Sequence, residues 1–130
     1  MPSFGQKSLE KLSTLDPRLE RLLAAAIEVS DFTILCGHRG QVEQNQAFES
    51  GNSRLPWPHS KHNSKPSVAV DVAPWPIDWQ ATDRFCFLAG ILFGLAKDQG
   101  INIRWGADFA QDGLENKDNF MDYPHIELVD

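Results

Sequence analysis

The sequence has little positive charge and gathers none of it in one place. Its 130 residues carry 12 Lys and Arg against 18 Asp and Glu, a formal net charge of −6. Nucleic-acid binding draws its affinity from concentrated cations, so nucleic acid is not an expected partner. Cysteine is scarce too. Cys36 and Cys86 form no CxxC pair, and each stands in an apolar run (TILCG, RFCFLAG), where a buried thiol is the ordinary reading and a disulfide between them stays open. No apolar stretch approaches the ~20 residues of a membrane span. The longest, Phe85 to Ala96, reads as a buried helix, and stable membrane association is not expected. The N-terminal MPSFGQKSLEKL has no basic segment leading into an apolar one, so no secretory signal is expected. Internal repeats, low-complexity segments and EF-hand spacing are all missing.

What is present is the mixture of an ordinary globular domain, 42% apolar and 23% charged. A chain of this length buries roughly two-thirds of its unfolded surface, so it can fold without a metal or disulfides. One domain over residues 1–130 is expected, and a metal would serve chemistry first. In LDPRLERLLAAAIEVS, Asp16 can cap a helix, Pro17 suits its first position, and Leu19, Leu22, Leu23, Ala26 and Ile27 follow helical spacing. DFTILCG is a short β-prone run that delivers His38 and Arg39 to its end, and Gln41 to Ser50 reads as a polar helix. The Gly-, Pro-, Asn- and Ser-rich segment 51–66 makes a loop. SVAVDVA alternates, setting Val68, Val70 and Val72 on one face and Asp71 on the other. A helix is expected after Asp78 up to a C-cap at Gly100, then a strand at INIRWG, an acidic loop, and a closing strand HIELV with His125 and Glu127 on one face. Strands and helices do not alternate regularly. The pattern predicts an α+β domain with a small, largely antiparallel sheet and helices packed on one face.

Four histidines, at 38, 59, 62 and 125, include two in segments that geometry can bring together: SKHNSKPSVAVD and DYPHIEL. If the strands holding Asp71 and His125 are neighbours, both residues face the non-core side and the His62 loop can fold over them. Two imidazoles and a carboxylate suit zinc, and three protein ligands leave its fourth position for water, as in catalytic sites. Asp122, three residues before His125, is the natural base, and Arg39 can grip a carboxylate or an oxyanion. Ordinary readings stand beside these. His62 can be a surface loop residue, Asp71 can cap a turn, and His125 can be a satisfied strand histidine. Asp122 can start a turn before Pro124, and Arg39 can pair with Glu43. Glu127 can orient a ligand or meet solvent. His59 can line the cleft, though a solvated histidine is the simpler reading, and His38 should point away. Trp57, Trp75, Trp79 and Trp105 can wall a cleft or pack a core. Asp108, Asp112, Glu115 and Asp118 can hold a second, hard cation or simply form a solvated loop.

The run Ser60-x-His62 followed by Ala69-x-Asp71, a later Asp122-x-x-His125, and an upstream Gly37-x-Arg39 with Gln44 resembles the D-alanyl-D-alanine carboxypeptidase and L-alanyl-D-glutamate endopeptidase superfamily of zinc peptidases. The resemblance spans most of the chain and is nearest to phage endolysins. It implies the fold of that superfamily, of DD-peptidase and hedgehog type, with zinc held by His62, Asp71 and His125. It implies Asp122 as general base and substrate contacts from Arg39, Ser60 and Gln44. Eight residues separate His62 from Asp71 where many members have six, with Pro66–Ser67 where glycine is common. The implied partner is bacterial peptidoglycan, met by a monomer that waits in the host cytoplasm until a separate pore releases it to the wall. The implied reaction is cleavage of the L-alanyl-D-glutamate bond. Alternatives are a D-alanyl-D-alanine carboxypeptidase and, from another class, a non-catalytic wall- or protein-binding module with structural zinc.

Overall fold

A computed structural model describes residues 2–108 and 122–129. Helix α1 (Gln6–Leu12) comes first and was not legible in the sequence: it has seven residues and no side-chain cap. Tertiary contacts hold it instead. The Ser8 hydroxyl accepts from the Ile34 amide of an edge strand at 3.1 Å, and Phe4 packs edge-on against Phe32. Helix α2 (Pro17–Ile27) forms as its spacing predicts, with the Asp16 carboxylate accepting from the Arg18 amide and Leu19, Leu22, Leu23, Ala26 and Ile27 buried.

Strand β1 (Phe32–Cys36) leads to helix α3 (Gln41–Glu49), then a loop, then strand β2 (Ala69–Pro74). Helix α4 runs from Thr82 to Gln99, four residues later than Asp78, because the Asp78 carboxylate accepts from the Gln80 amide and closes a turn before the helix begins. Gly100 ends it at φ 73°, the left-handed conformation that favours glycine. Strands β3 (Ile103–Trp105) and β4 (His125–Leu128) complete a four-stranded antiparallel sheet in the order β1-β2-β4-β3.

This is the expected α+β architecture. One sheet face presents Phe32, Ile34, Val70, Val72, Ile103, Trp105, Ile126 and Leu128 to α2 and α4, and these side chains form the core. Fully burying one such aliphatic side chain stabilises by about 1.5–3 kcal/mol. The opposite face carries Asp71, Arg104, His125 and Glu127. The connection from His62 to Asp71 is anchored at Ser67, which is buried, donates its amide to Thr14 O at 2.9 Å and accepts from the Asp16 amide at 2.8 Å through its carbonyl.

Candidate active site

Three elements converge on the polar face of the sheet. Asp71 and His125 lie directly opposite one another on β2 and β4. His62 reaches them from a one-turn 3-10 helix at Lys61–Asn63, whose start is fixed by a reciprocal cap: Ser60 Oγ accepts from the His62 amide at 3.2 Å, and Asn63 Oδ1 accepts from the Ser60 amide at 3.0 Å. The Arg39 amide donates to His62 O at 2.8 Å, tying the end of β1 to the same turn.

The nitrogens facing Asp71 are selected by what the opposite ring atoms do. His62 Nδ1 donates to the Gly37 carbonyl at 2.8 Å, which leaves Nε2 at 3.2 Å from Asp71 Oδ1. His125 Nε2 donates to Glu127 Oε1 at 2.7 Å, which leaves Nδ1 at 3.3 Å from the same oxygen. Gly37 itself is held against the end of α1, where there is no room for a side chain: a Cβ would meet Thr14 Oγ1 and lie 2.8 Å from Lys11 O. Glu127 is buried and also accepts from Arg104 Nη2 at 2.7 Å and Lys61 Nζ at 3.1 Å.

Electrostatics follow from this sharing of Asp71. Burial works against charge on both imidazoles, but the hydrogen bond to Asp71 overcomes it, and His62 is pushed up to about 10 and His125 to about 9. Burial would raise Asp71, yet its two histidine partners hold it well below the usual carboxylate range. Glu127 likewise falls to about 2, burial being outweighed by its bond to His125. Asp122 behaves in the opposite way. Its Oδ2 is 3.8 Å from His125 Nδ1, and burial together with the charge of Asp71 lifts it to about 6.

The site opens into a cleft of about 610 Å³ that includes His62, Asp71, Asp122 and His125, with Arg39, Arg54, Lys61 and Arg104 among the cations around them. A family model described as phage L-alanyl-D-glutamate peptidase matches residues 2–129. The chain belongs to this family. It is 34% identical to the L-alanyl-D-glutamate peptidase of Escherichia phage T5, over 97% of both chains. Its fold matches the crystal structure of the Serratia marcescens L-Ala D-Glu endopeptidase ChiX at a TM-score of 0.77, with 26% identity, covering 97% of this chain and 89% of that one. Neither relative is named for the carboxypeptidase reaction that the sequence left open.

The donor set of this peptidase is compatible with a metal. About 2.0–2.1 Å from each donor, tetrahedral zinc places neighbouring ligand atoms about 3.3 Å apart. The two nitrogen–oxygen separations around Asp71 Oδ1 have that length, and the groups whose donor atoms all lie within 4.8 Å of one another are Asp71–Asp122–His125 and Cys36–His62–Asp71 among the described residues. Carbonyl and carboxylate acceptors behind each ring fix the tautomer a metal needs.

Other expected residues fall elsewhere. Arg39 does not pair with Glu43. Its Nη2 lies 3.5 Å from Asp71 Oδ2 and its Nη1 donates to Gln44 Oε1 at 2.9 Å. Gln44, which the resemblance assigns to substrate, is fully buried. Its amide donates to Ser53 Oγ and Leu55 O while its carbonyl accepts from Arg39 and Asn63, so it acts through Arg39 and the loop. Ser60 lines the cleft, as does exposed His59, whereas His38 is absent from its lining. None of the four tryptophans lines the cleft: Trp105 packs in the core with Nε1 bonded to Tyr123 O, and Trp75 and Trp79 stand exposed. Asp108 is buried, while Asp112, Glu115 and Asp118 lie outside the described residues.

Three contributors escaped the sequence. Cys36 lies beside Asp71 on β1 because a bulge between Ile34 and Cys36 shifts the register, where simple alternation would send it to the core with Ile34. No disulfide joins Cys36 and Cys86. Arg104 faces Glu127 across β3 and β4, a pairing visible only once strand order is known. Gly106 lies under the Asp122–His125 segment, bonded at both its amide and its carbonyl, and a Cβ there would sit 2.8 Å from Asp122 Cβ and 2.9 Å from His125 Cβ.

Proposed function

We propose that this chain is a zinc-dependent endopeptidase that cleaves the L-alanyl-D-glutamate bond of the peptidoglycan stem peptide, acting on the host wall after release from the cytoplasm. The observation that carries the reading is the convergence of two imidazole nitrogens, each set by an acceptor behind its ring, on one oxygen of Asp71 with Asp122 alongside. Two imidazoles and a carboxylate favour zinc over hard oxygen-seeking cations. His62, Asp71 and His125 would hold the ion, which when bound acidifies a water and polarises the scissile carbonyl.

The remaining work belongs to the protein. Asp122, raised to about 6 in the metal-free site, is a carboxylate whose basicity suits taking the proton of the attacking water and returning it to the leaving amine. Arg39, held by Gln44, presents its guanidinium to developing negative charge or to a substrate carboxylate. The surrounding cations suit a stem peptide whose D-glutamate carries a free carboxylate. A base beside the ligands supports catalysis over a purely structural ion, since a structural site has no use for one.

The test is mass spectrometry of purified peptidoglycan after digestion by zinc-loaded protein, by its Asp122→Ala variant and in the presence of chelator. New termini between L-Ala and D-Glu, lost in both controls, are expected. Release of terminal D-Ala alone would replace this reading with a carboxypeptidase, and an intact wall under stoichiometric zinc would overturn it.

A further inference from the structure

We propose that Cys36 forms with His62 and Asp71 a second, thiolate-containing cation site, one strand over from the catalytic donor set, that captures thiophilic metal ions of the cadmium class. The proposal rests on the metal reading of His62, Asp71 and His125. Its own foundation is the sheet register. Cys36, Asp71 and His125 occupy one cross-strand row, with Asp71 in the middle strand of the three. The bulge in β1 is what turns the thiol onto this face.

Two donor groups share Asp71. Ligand atoms of Asp71, Asp122 and His125 lie within 4.8 Å of one another, and those of Cys36, His62 and Asp71 do the same. The first group offers only oxygen and nitrogen. The second adds sulfur, and ligand softness separates the cations that the two will take. On the Cys36 side an S–metal bond forms as the S–H proton leaves to solvent, because a coordinated thiol is deprotonated outright. An ion there draws His62 and Asp71 toward β1 and away from His125 and Asp122. His62 bonds Gly37 through Nδ1 and so has one nitrogen to give, which cannot serve both positions at once, and capture of a soft cation therefore takes His62 from the catalytic arrangement.

The test is ultraviolet absorbance of the full chain titrated with cadmium, read at the thiolate-to-cadmium charge-transfer band, with bound metal counted in parallel. Wild type and Cys86→Ser are expected to develop the band up to one equivalent, and Cys36→Ser to bind cadmium without it. Cadmium bound by wild type with no charge-transfer band overturns the Cys36 site and leaves the catalytic metal reading standing. A band kept in Cys36→Ser and lost in Cys86→Ser also overturns it. Failure of wild type to bind either cadmium or zinc overturns both.

Discussion

Replacing Glu127 with glutamine removes one negative charge behind His125 while preserving the shape of the side chain. In the native site that carboxylate accepts from His125 Nε2 at 2.7 Å, from Arg104 Nη2 at 2.7 Å and from Lys61 Nζ at 3.1 Å, with its side chain only 6% exposed. Glutamine keeps an oxygen for His125, so the ring orientation survives. It loses the charge that makes the imidazole a better donor, and its amide hydrogens face two cations. Carboxylates behind metal-ligating histidines are worth roughly 10–100-fold in metal affinity, or about 1.4–2.7 kcal/mol. The short bond and deep burial place Glu127→Gln in the upper part of that range, about 30–100-fold. Competition against a chromophoric chelator near neutral pH measures it, with circular dichroism of the chelated variant confirming the fold. A folded variant that binds zinc within about threefold of wild type would refute the reasoning, because a carboxylate so placed must then do nothing for the ligand it touches.

Asp122→Asn keeps the size of the base but not its basicity. Turnover is expected to fall by roughly 10²–10⁴ with zinc content unchanged. In wild type the rate should rise with pH through an acid limb at or below about 6, since a bound cation draws Asp122 down from its metal-free position. In chelated protein, His62 at about 10 and His125 at about 9 stand above the ordinary histidine value of 6.5. The stability that their protonation gives is therefore full below 6.5 and vanishes as pH climbs through 9 to 10, a fall that thermal melts should record. Zinc affinity should rise with pH over the same interval, because binding displaces those protons, and then level off. Gly106→Ala drives a methyl into Asp122 and His125 and should cost about 1–3 kcal/mol in denaturant melts along with most of the activity. Gln44→Ala strips partners from Arg39 and Asn63 and should destabilise by about 1–3 kcal/mol while reducing kcat.

Much of this arrangement was written locally in the chain. The Asp16–Pro17 start and the Leu and Ala spacing fixed α2, and alternation in SVAVDVA and HIEL placed Asp71, His125 and Glu127 off the core face. Those signals depend only on neighbours in sequence. The features that escaped depend on pairing between distant segments. Helix α1 is too short to form on propensity and exists because Ser8 satisfies a strand edge. Gln44 reads as one polar residue in a polar helix, and only the approach of Arg39 and Asn63 makes it a buried bracket. Cys36 reads as core by its period-2 neighbours, and a single unpaired residue in β1 reverses that. Glycine at 106 looks like a turn until the backbone of Asp122 is seen lying against it.

The strand order has a consequence for the birth of the enzyme. Strand β4 follows every other described element in the chain, yet it occupies an interior place between β2 and β3 and carries His125. A nascent chain that has reached Trp105 can pair β1 with β2, but it leaves β3 without its partner and His62 and Asp71 without a third companion. His125 and its place opposite Asp71 therefore come to the site together, with the last of the described strands.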